Sequence, residues 1–208
     1  MDFTRKQAQD LFEEVVAQRN ASKLPFEGDM EKTFRAHCTA VAHIAETIAA
    51  NYPDLDADKA YIFGLLHDAG RIEDEPRGNT FHGIIGYHYL MKKNLPEIAK
   101  ISVTHCFYNK DFDISTYPQN KEQLLEAKRY LANIEYDDYD WLIQLADVMN
   151  DMGKTCTIEY RMDSVGKRYR ILPEKIASMV KRLYELKAYF DAKCGKDIYE
   201  VLGIKEEK

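Results

Sequence analysis

The sequence predicts an all-α protein, and three observations carry that expectation. Apolar residues recur at three- and four-residue spacing almost throughout the 208-residue chain. No pair of alternating runs joined by a hairpin turn demands a sheet. Breakers fall between the periodic segments, at Pro25, Gly28, Pro53, Gly70, Pro76, Gly78, Pro118 and Pro173.

In chain order, the first helix covers about residues 4–20 and stops ahead of Pro25 and Gly28. The second, about 30–51, places His37 on one face with Val41, Ile44 and Ile48, so His37 points inward. His43 lies roughly 120° round that helix with Thr39, Glu46 and Thr47, and faces solvent. The third, about 57–69, holds the apolar run Ala60-Tyr61-Ile62-Phe63-Gly64-Leu65-Leu66; it belongs in the core and ends at Gly70. In the fourth, about 80–94, His82 begins the helix beside Gly83, whose missing side chain lets a backbone or ligand approach closely. His88, on the stripe Phe81, Ile84, Ile85, His88, reads as a hydrogen-bonded core residue.

In the fifth helix, about 96–108, His105 follows Ile98 and Ile101 on an inward stripe. Residues Asn109 to Asn120 predict a longer loop, either a flap or a connection. Helices at about 121–134 and 138–152 follow, the second carrying Asp147 one turn after Ile143. Ile158, Met162, Val165 and Tyr169 fit a helix at about 157–170 better than a hairpin across Asp163-Ser164-Val165-Gly166. The helix at about 173–194, with Ile176, Met179, Val180, Leu183, Leu186 and Tyr189, covers the core or pairs two copies in a homodimer. A single domain over residues 1–208 is expected, with a core at about 30–152 and C-terminal helices at 157–201 packed on it.

Composition narrows the function. The chain is 45% hydrophobic and 31% charged, ordinary for a soluble globular protein, which excludes disorder and fibre. Lys and Arg number 29 against 35 Asp and Glu, a net charge of −6, so stable nucleic-acid binding by phosphate neutralisation is not expected. Lys167-Arg168-Tyr169-Arg170 is the nearest approach to a basic, aromatic stretch, and a solvated helix end explains it. Cys38, Cys106, Cys156 and Cys194 form no C-x-x-C pair, which fits a reduced, cytoplasmic setting. No apolar stretch approaches the length of a membrane span, and the N-terminus lacks signal-peptide order.

The chemistry lies in the histidines. His67-Asp68 ends the most apolar segment of the chain, and Asp147 also sits inside an apolar helix. A carboxylate carried into a core needs a compensating cation or several donors. His37, His67, Asp68, His82, His105 and Asp147 form an ordered set of imidazole and carboxylate groups of the kind transition metals take as ligands.

That order resembles the HD superfamily of metal-dependent phosphohydrolases, in particular its two-metal form. The wording around the ligands is also similar: Gly64-Leu65-Leu66-His67-Asp68-Ala69-Gly70-Arg71, the His82-Gly83 step, Thr104-His105 and Leu145-Ala146-Asp147. Within the superfamily the spacing looks most like the bacterial diadenosine-tetraphosphate hydrolase branch, although Arg71 stands where that branch is expected to carry lysine. The resemblance implies one metal on His37, His67, Asp68 and Asp147, and a second on His82 and His105 with Asp68 bridging. Iron, manganese, zinc or nickel suits such mixed ligands. The resemblance further implies a small anionic, phosphate-containing substrate, and Arg71, four residues after His67, is the candidate for holding a phosphate oxygen because a guanidinium is always charged and grips phosphate bidentately, so Asp68 and Arg71 are the expected catalytic residues. Lys154 is a second cation for that task, and Asp151 either orients a ligand, protonates a leaving group or ends its helix. Two other readings share the ligand order: a di-iron HD-domain oxygenase and a non-catalytic metal- or ligand-sensing module.

Overall fold

A computed structural model describes residues 2–21, 30–73, 81–108, 110, 120–169 and 171–204. The expected flap, Asn109 to Asn120, and the tail Lys205–Lys208 fall almost wholly outside them. Among the described residues the chain is helical except for one two-stranded ribbon, as the periodicity predicts. The helices are α1 (Arg5–Ala21), α2 (Met30–Ala49), α3 (Ala57–Leu66), α4 (His82–Lys92), α5 (Pro96–Thr104), α6 (Lys121–Ala132), α7 (Asp138–Val148), α8 (Ile158–Tyr169), α9 (Pro173–Cys194) and α10 (Ile198–Val201). A short 3-10 helix, Ala69–Glu73, follows α3.

The termini follow local chemistry. The Asp56 side chain accepts the Lys59 amide at the start of α3. A capping box opens α7: Asp137 accepts the Tyr139 and Asp140 amides, and Asp140 accepts the Asp137 amide at 2.7 Å. Pro96 and Pro173 sit in the first turns of α5 and α9, where their missing N–H costs nothing.

The main core runs through α1, α2, α3, α5, α7 and α9, with Val15, Val41, Ile48, Leu66, Ile98, Ile143, Leu145 and Phe190 among its buried members. A second cluster joins α4, α5 and α6 through Ile84, Val103, Phe107, Leu124, Ala127 and Leu131. Two glycines set the distance of α4 from its neighbours. A Cβ on Gly70 would run into the His82 carbonyl oxygen and the Gly86 nitrogen, and one on Gly83 would stand 2.9 Å from the Ser102 carbonyl oxygen. The close approach expected at His82-Gly83 is therefore made by the backbone of α5.

Three expectations need correction. His88 is exposed, not in the core; its Nε2 pairs with Glu126 at 2.9 Å, because the buried stripe of α4 runs through Gly83, Ile84, Gly86 and Leu90. Helix α7 ends at Val148, and Asn150-Asp151 pairs antiparallel with Lys154-Thr155. Met152 (φ 51°) and Gly153 (φ 90°) both take positive φ, which tight two-residue hairpins require, and a methionine in that role gives little warning in sequence. Helix α3 stops at Leu66, so His67 and Asp68 lie in the turn leading to the 3-10 helix rather than in the last turn of α3, and Gly70 falls beyond it. The 157–170 segment is helical, as its stripe predicts.

Candidate metal centre

Each predicted ligand is delivered from a helix or helix end. His37 projects from α2; His67 and Asp68 follow α3; His82 is the first residue of α4; His105 follows the last residue of α5; Asp147 lies near the end of α7. The six converge. His37 Nε2 stands 3.3 Å from His67 Nε2, 3.2 Å from Asp147 Oδ1 and 3.7 Å from Asp68 Oδ2. On the other side, His82 Nε2 is 3.3 Å from His105 Nε2 and 3.2 Å from Asp68 Oδ1, and His105 Nε2 is 3.5 Å from the same oxygen. The Asp68 carboxylate thus turns one oxygen to each set.

The backbone fixes the tautomers. His67 Nδ1 lies 2.7 Å from the Gly64 carbonyl oxygen and His105 Nδ1 lies 3.0 Å from that of Ile101. A carbonyl only accepts, so each Nδ1 carries a proton and each Nε2 faces the cluster; for His105 burial acts downward, but Cys106 and Asp68 outweigh it and push the imidazole well above its usual range. Burial holds His67 neutral, with its pKa pushed down to about 4, and burial together with the Arg71 guanidinium pushes His82 down as well. For Asp68, burial acts upward, but Arg71 and the surrounding imidazoles outweigh it and hold the carboxyl well below its usual range. Asp147 is likewise low: burial acts upward, and the hydrogen bond and charge of His37 prevail.

The Arg71 guanidinium compensates Asp68 Oδ2, and the remaining oxygens and imidazole nitrogens repel one another unless a further cation lies among them. Asp68 Oδ1 supplies the test, because it is buried and has no hydrogen-bond partner. Native proteins seldom leave a carboxylate oxygen so. Ligands at about 2.0–2.1 Å from a tetrahedral ion stand about 3.3–3.4 Å apart, and the donors of the second set are 3.2, 3.3 and 3.5 Å apart. The donor groups that could hold a metal are His37, His67 and Asp147 on one side, His82, His105 and Cys106 on the other, and His67, Asp68 and His105 between them.

The cradle is braced by buried polar residues whose role the sequence does not announce. Gln144 donates through Nε2 to the Thr104 carbonyl at 2.8 Å and that of Phe107 at 3.3 Å, tying α7 to the chain on both sides of His105. Asp140, fully buried, accepts from Thr104 Oγ1 at 2.7 Å and pairs with Lys100 Nζ at 2.5 Å. Asn150 donates to the His37 carbonyl at 3.0 Å. Cys106 is a further surprise: its sulfur lies 3.3 Å from His105 Nε2 and 3.4 Å from His82 Nε2.

Arg71 stands at the centre, with Nε 2.5 Å from Asp68 Oδ2, and Arg19 of α1 donates to its carbonyl oxygen at 2.5 Å. Lys154 is exposed on the ribbon. Asp151 is engaged by Arg161 at 2.6 Å, Arg168 at 3.1 Å and Ser164 at 3.2 Å, so it braces α8. His43 faces outward beside Glu46, as its helix face predicts.

A helical scaffold thus turns four imidazoles and two aspartates onto one centre, a donor set that could hold a metal. The HD domain family model matches residues 34–151, more than half of the chain. The chain belongs to the HD domain family, whose members are mostly metal-dependent phosphohydrolases. No curated protein and no solved structure matches it. Among the described residues no helix is long and apolar enough to cross a membrane.

Proposed function

We propose that the protein is a metal-dependent phosphohydrolase that carries two dications and cleaves an ester or anhydride of a nucleotide or a related small phosphate. The observation that carries this reading is the buried, unpartnered Oδ1 of Asp68, set between two imidazoles while Oδ2 faces the other pair. Dications held in this way supply a hydroxide at neutral pH and neutralise charge on a phosphoryl group. The chain contributes the rest. The carbonyls of Gly64 and Ile101 keep His67 and His105 in the ligating tautomer. Asp68 joins the two halves and fixes their spacing. Arg71, beside Asp68, offers a permanent charge and a forked donor set to a phosphate oxygen. A chain of net charge −6 can therefore present a locally cationic cleft to an anion.

The test is release of phosphate or nucleotide from mononucleotides, dinucleoside polyphosphates and cyclic dinucleotides by protein loaded with manganese, iron or zinc. The dinucleoside polyphosphates are the first choice, because the His82 and His105 placement resembles that branch of the family. Metal-dependent hydrolysis, abolished by chelator, is expected. Oxygen consumption with a polyol or phosphonate, without phosphate release from any nucleotide, would overturn the proposal. Replacing Arg71 by Gln, in protein brought to the wild-type metal content, should raise KM for the phosphate substrate at least about tenfold, as expected when a charge-assisted contact worth about 1.5–3 kcal/mol is lost.

A further inference from the structure

We infer that Cys106 is a protein ligand of the second metal position, which makes that position a softer site than the first. The inference rests on the two-metal reading above and adds to it a donor outside the ordered His and Asp set.

Counting donors shows the need. The first position has four: His37 Nε2, His67 Nε2, Asp68 Oδ2 and Asp147 Oδ1. Among the described residues the second has His82 Nε2, His105 Nε2 and Asp68 Oδ1 unless another group joins. Cys106 follows His105 in the turn that closes α5, and its amide bonds back to the Val103 carbonyl at 3.3 Å. That turn brings the sulfur 3.3 Å from His105 Nε2 and 3.4 Å from His82 Nε2, which are themselves 3.3 Å apart. The three atoms form a nearly equilateral triangle. In a tetrahedral site with about 2.3 Å to sulfur and 2.0–2.1 Å to nitrogen, the N···S edge is roughly 3.5 Å.

A thiol near histidines is not by itself a site. The independent observation is Asp68 Oδ1, buried and without a hydrogen-bond partner, aimed at the same two Nε2 atoms. The competing partners of the sulfur are poor, with the Ser102 carbonyl at 4.0 Å and His105 Nδ1 at 3.9 Å. The two positions then differ in kind. The first offers two imidazoles and two carboxylate oxygens, which suits manganese or ferrous iron; the second, with a thiolate, favours zinc or ferrous iron over manganese.

The test is cobalt reconstitution of the metal-stripped full chain, followed by near-ultraviolet spectra and metal analysis on wild type, Cys106→Ser and Cys38→Ser. Wild type should bind two cobalt ions and show a thiolate-to-cobalt charge-transfer band. Cys106→Ser should lose the band and weaken the second ion at least about tenfold, as ligand-sphere changes of this kind do. Cys38→Ser, whose thiol is buried in α2, should keep the band. Two bound cobalt ions without the band, or a band that survives Cys106→Ser, would overturn the role of Cys106 and leave the two-metal centre standing. Failure of the wild type to bind any cobalt would overturn both.

Discussion

Replacing Asp68 by Asn removes the carboxylate that faces both histidine sets while keeping the volume of the side chain. Its Oδ2 lies 3.7 and 3.8 Å from the Nε2 atoms of His37 and His67, and its Oδ1 lies 3.2 and 3.5 Å from those of His82 and His105. An amide has one neutral oxygen and a nitrogen that cannot ligate, so both positions lose their shared anion. The readout is thermal unfolding in chelator and again in manganese or zinc. A ligand held at 100 times its Kd stabilises the folded state by about 2.7 kcal/mol. At about 2–4 °C per kcal/mol for a domain of this size, wild type should gain about 5–11 °C on metal addition. Asp68→Asn should gain less than about 2 °C. Each protein is compared with itself, so the lost Arg71 contact, worth about 1.5–3 kcal/mol, drops out of the difference. His43→Gln, on the outer face of α2, is the control and should behave as wild type. An undiminished metal response in Asp68→Asn would refute the bridging role.

Three further outcomes follow from other parts of the centre. Gln144→Leu removes one donor each from the Thr104 and Phe107 carbonyls, which keep the Phe107 amide and the Tyr136 hydroxyl respectively, so the net loss should be about 0.5–1.5 kcal/mol, with weaker retention of the second metal by dialysis; unchanged stability and metal content would remove Gln144 as a brace. Gly70→Ala forces α4 away from the 3-10 helix and should cost about 3 kcal/mol or more, read by urea unfolding, because backbone rather than a flexible side chain blocks the new methyl; a loss under about 1 kcal/mol would contradict the packing. In chelated protein His67, lowered to about 4 from 6.5, binds its proton in the unfolded chain first, so stability falls as pH drops from about 6.5 to about 4, by up to about 3 kcal/mol. His67→Gln should flatten that stretch of the stability-against-pH curve, and a variant curve parallel to wild type would count against the buried neutral imidazole.

Much of the centre is legible in the sequence because its candidate ligands are unusual where they stand. Asp68 and Asp147 are charges inside apolar runs, and His37 lies on a helix face otherwise made of Val41, Ile44 and Ile48. Pattern fails where the information is tertiary. Gln144 and Asn150 look like any polar residues near a helix end, and their carbonyl partners lie 40 and 113 residues away in the chain. Cys106 escapes notice because metal-binding cysteines are sought in pairs, whereas here the companions are His82 and His105. His88 misleads for the opposite reason: it continues a stripe by spacing, yet α4 rotates Gly83 and Gly86 inward so that backbones can touch.

The hydrogen bond from Arg19 to the Arg71 carbonyl makes the recognisable motif smaller than the physical unit that supports it. The family match begins at residue 34, so α1, with Leu11, Phe12, Val15 and Val16 in the core, lies wholly outside it. A fragment cut to residues 34–151 would retain all six candidate His and Asp ligands and still strip the guanidinium of Arg19 that steadies the peptide of Arg71, beside Asp68. The boundary useful for recognising this protein in a genome is therefore a poor place to cut it for expression, and the first helix should be kept in any engineered version.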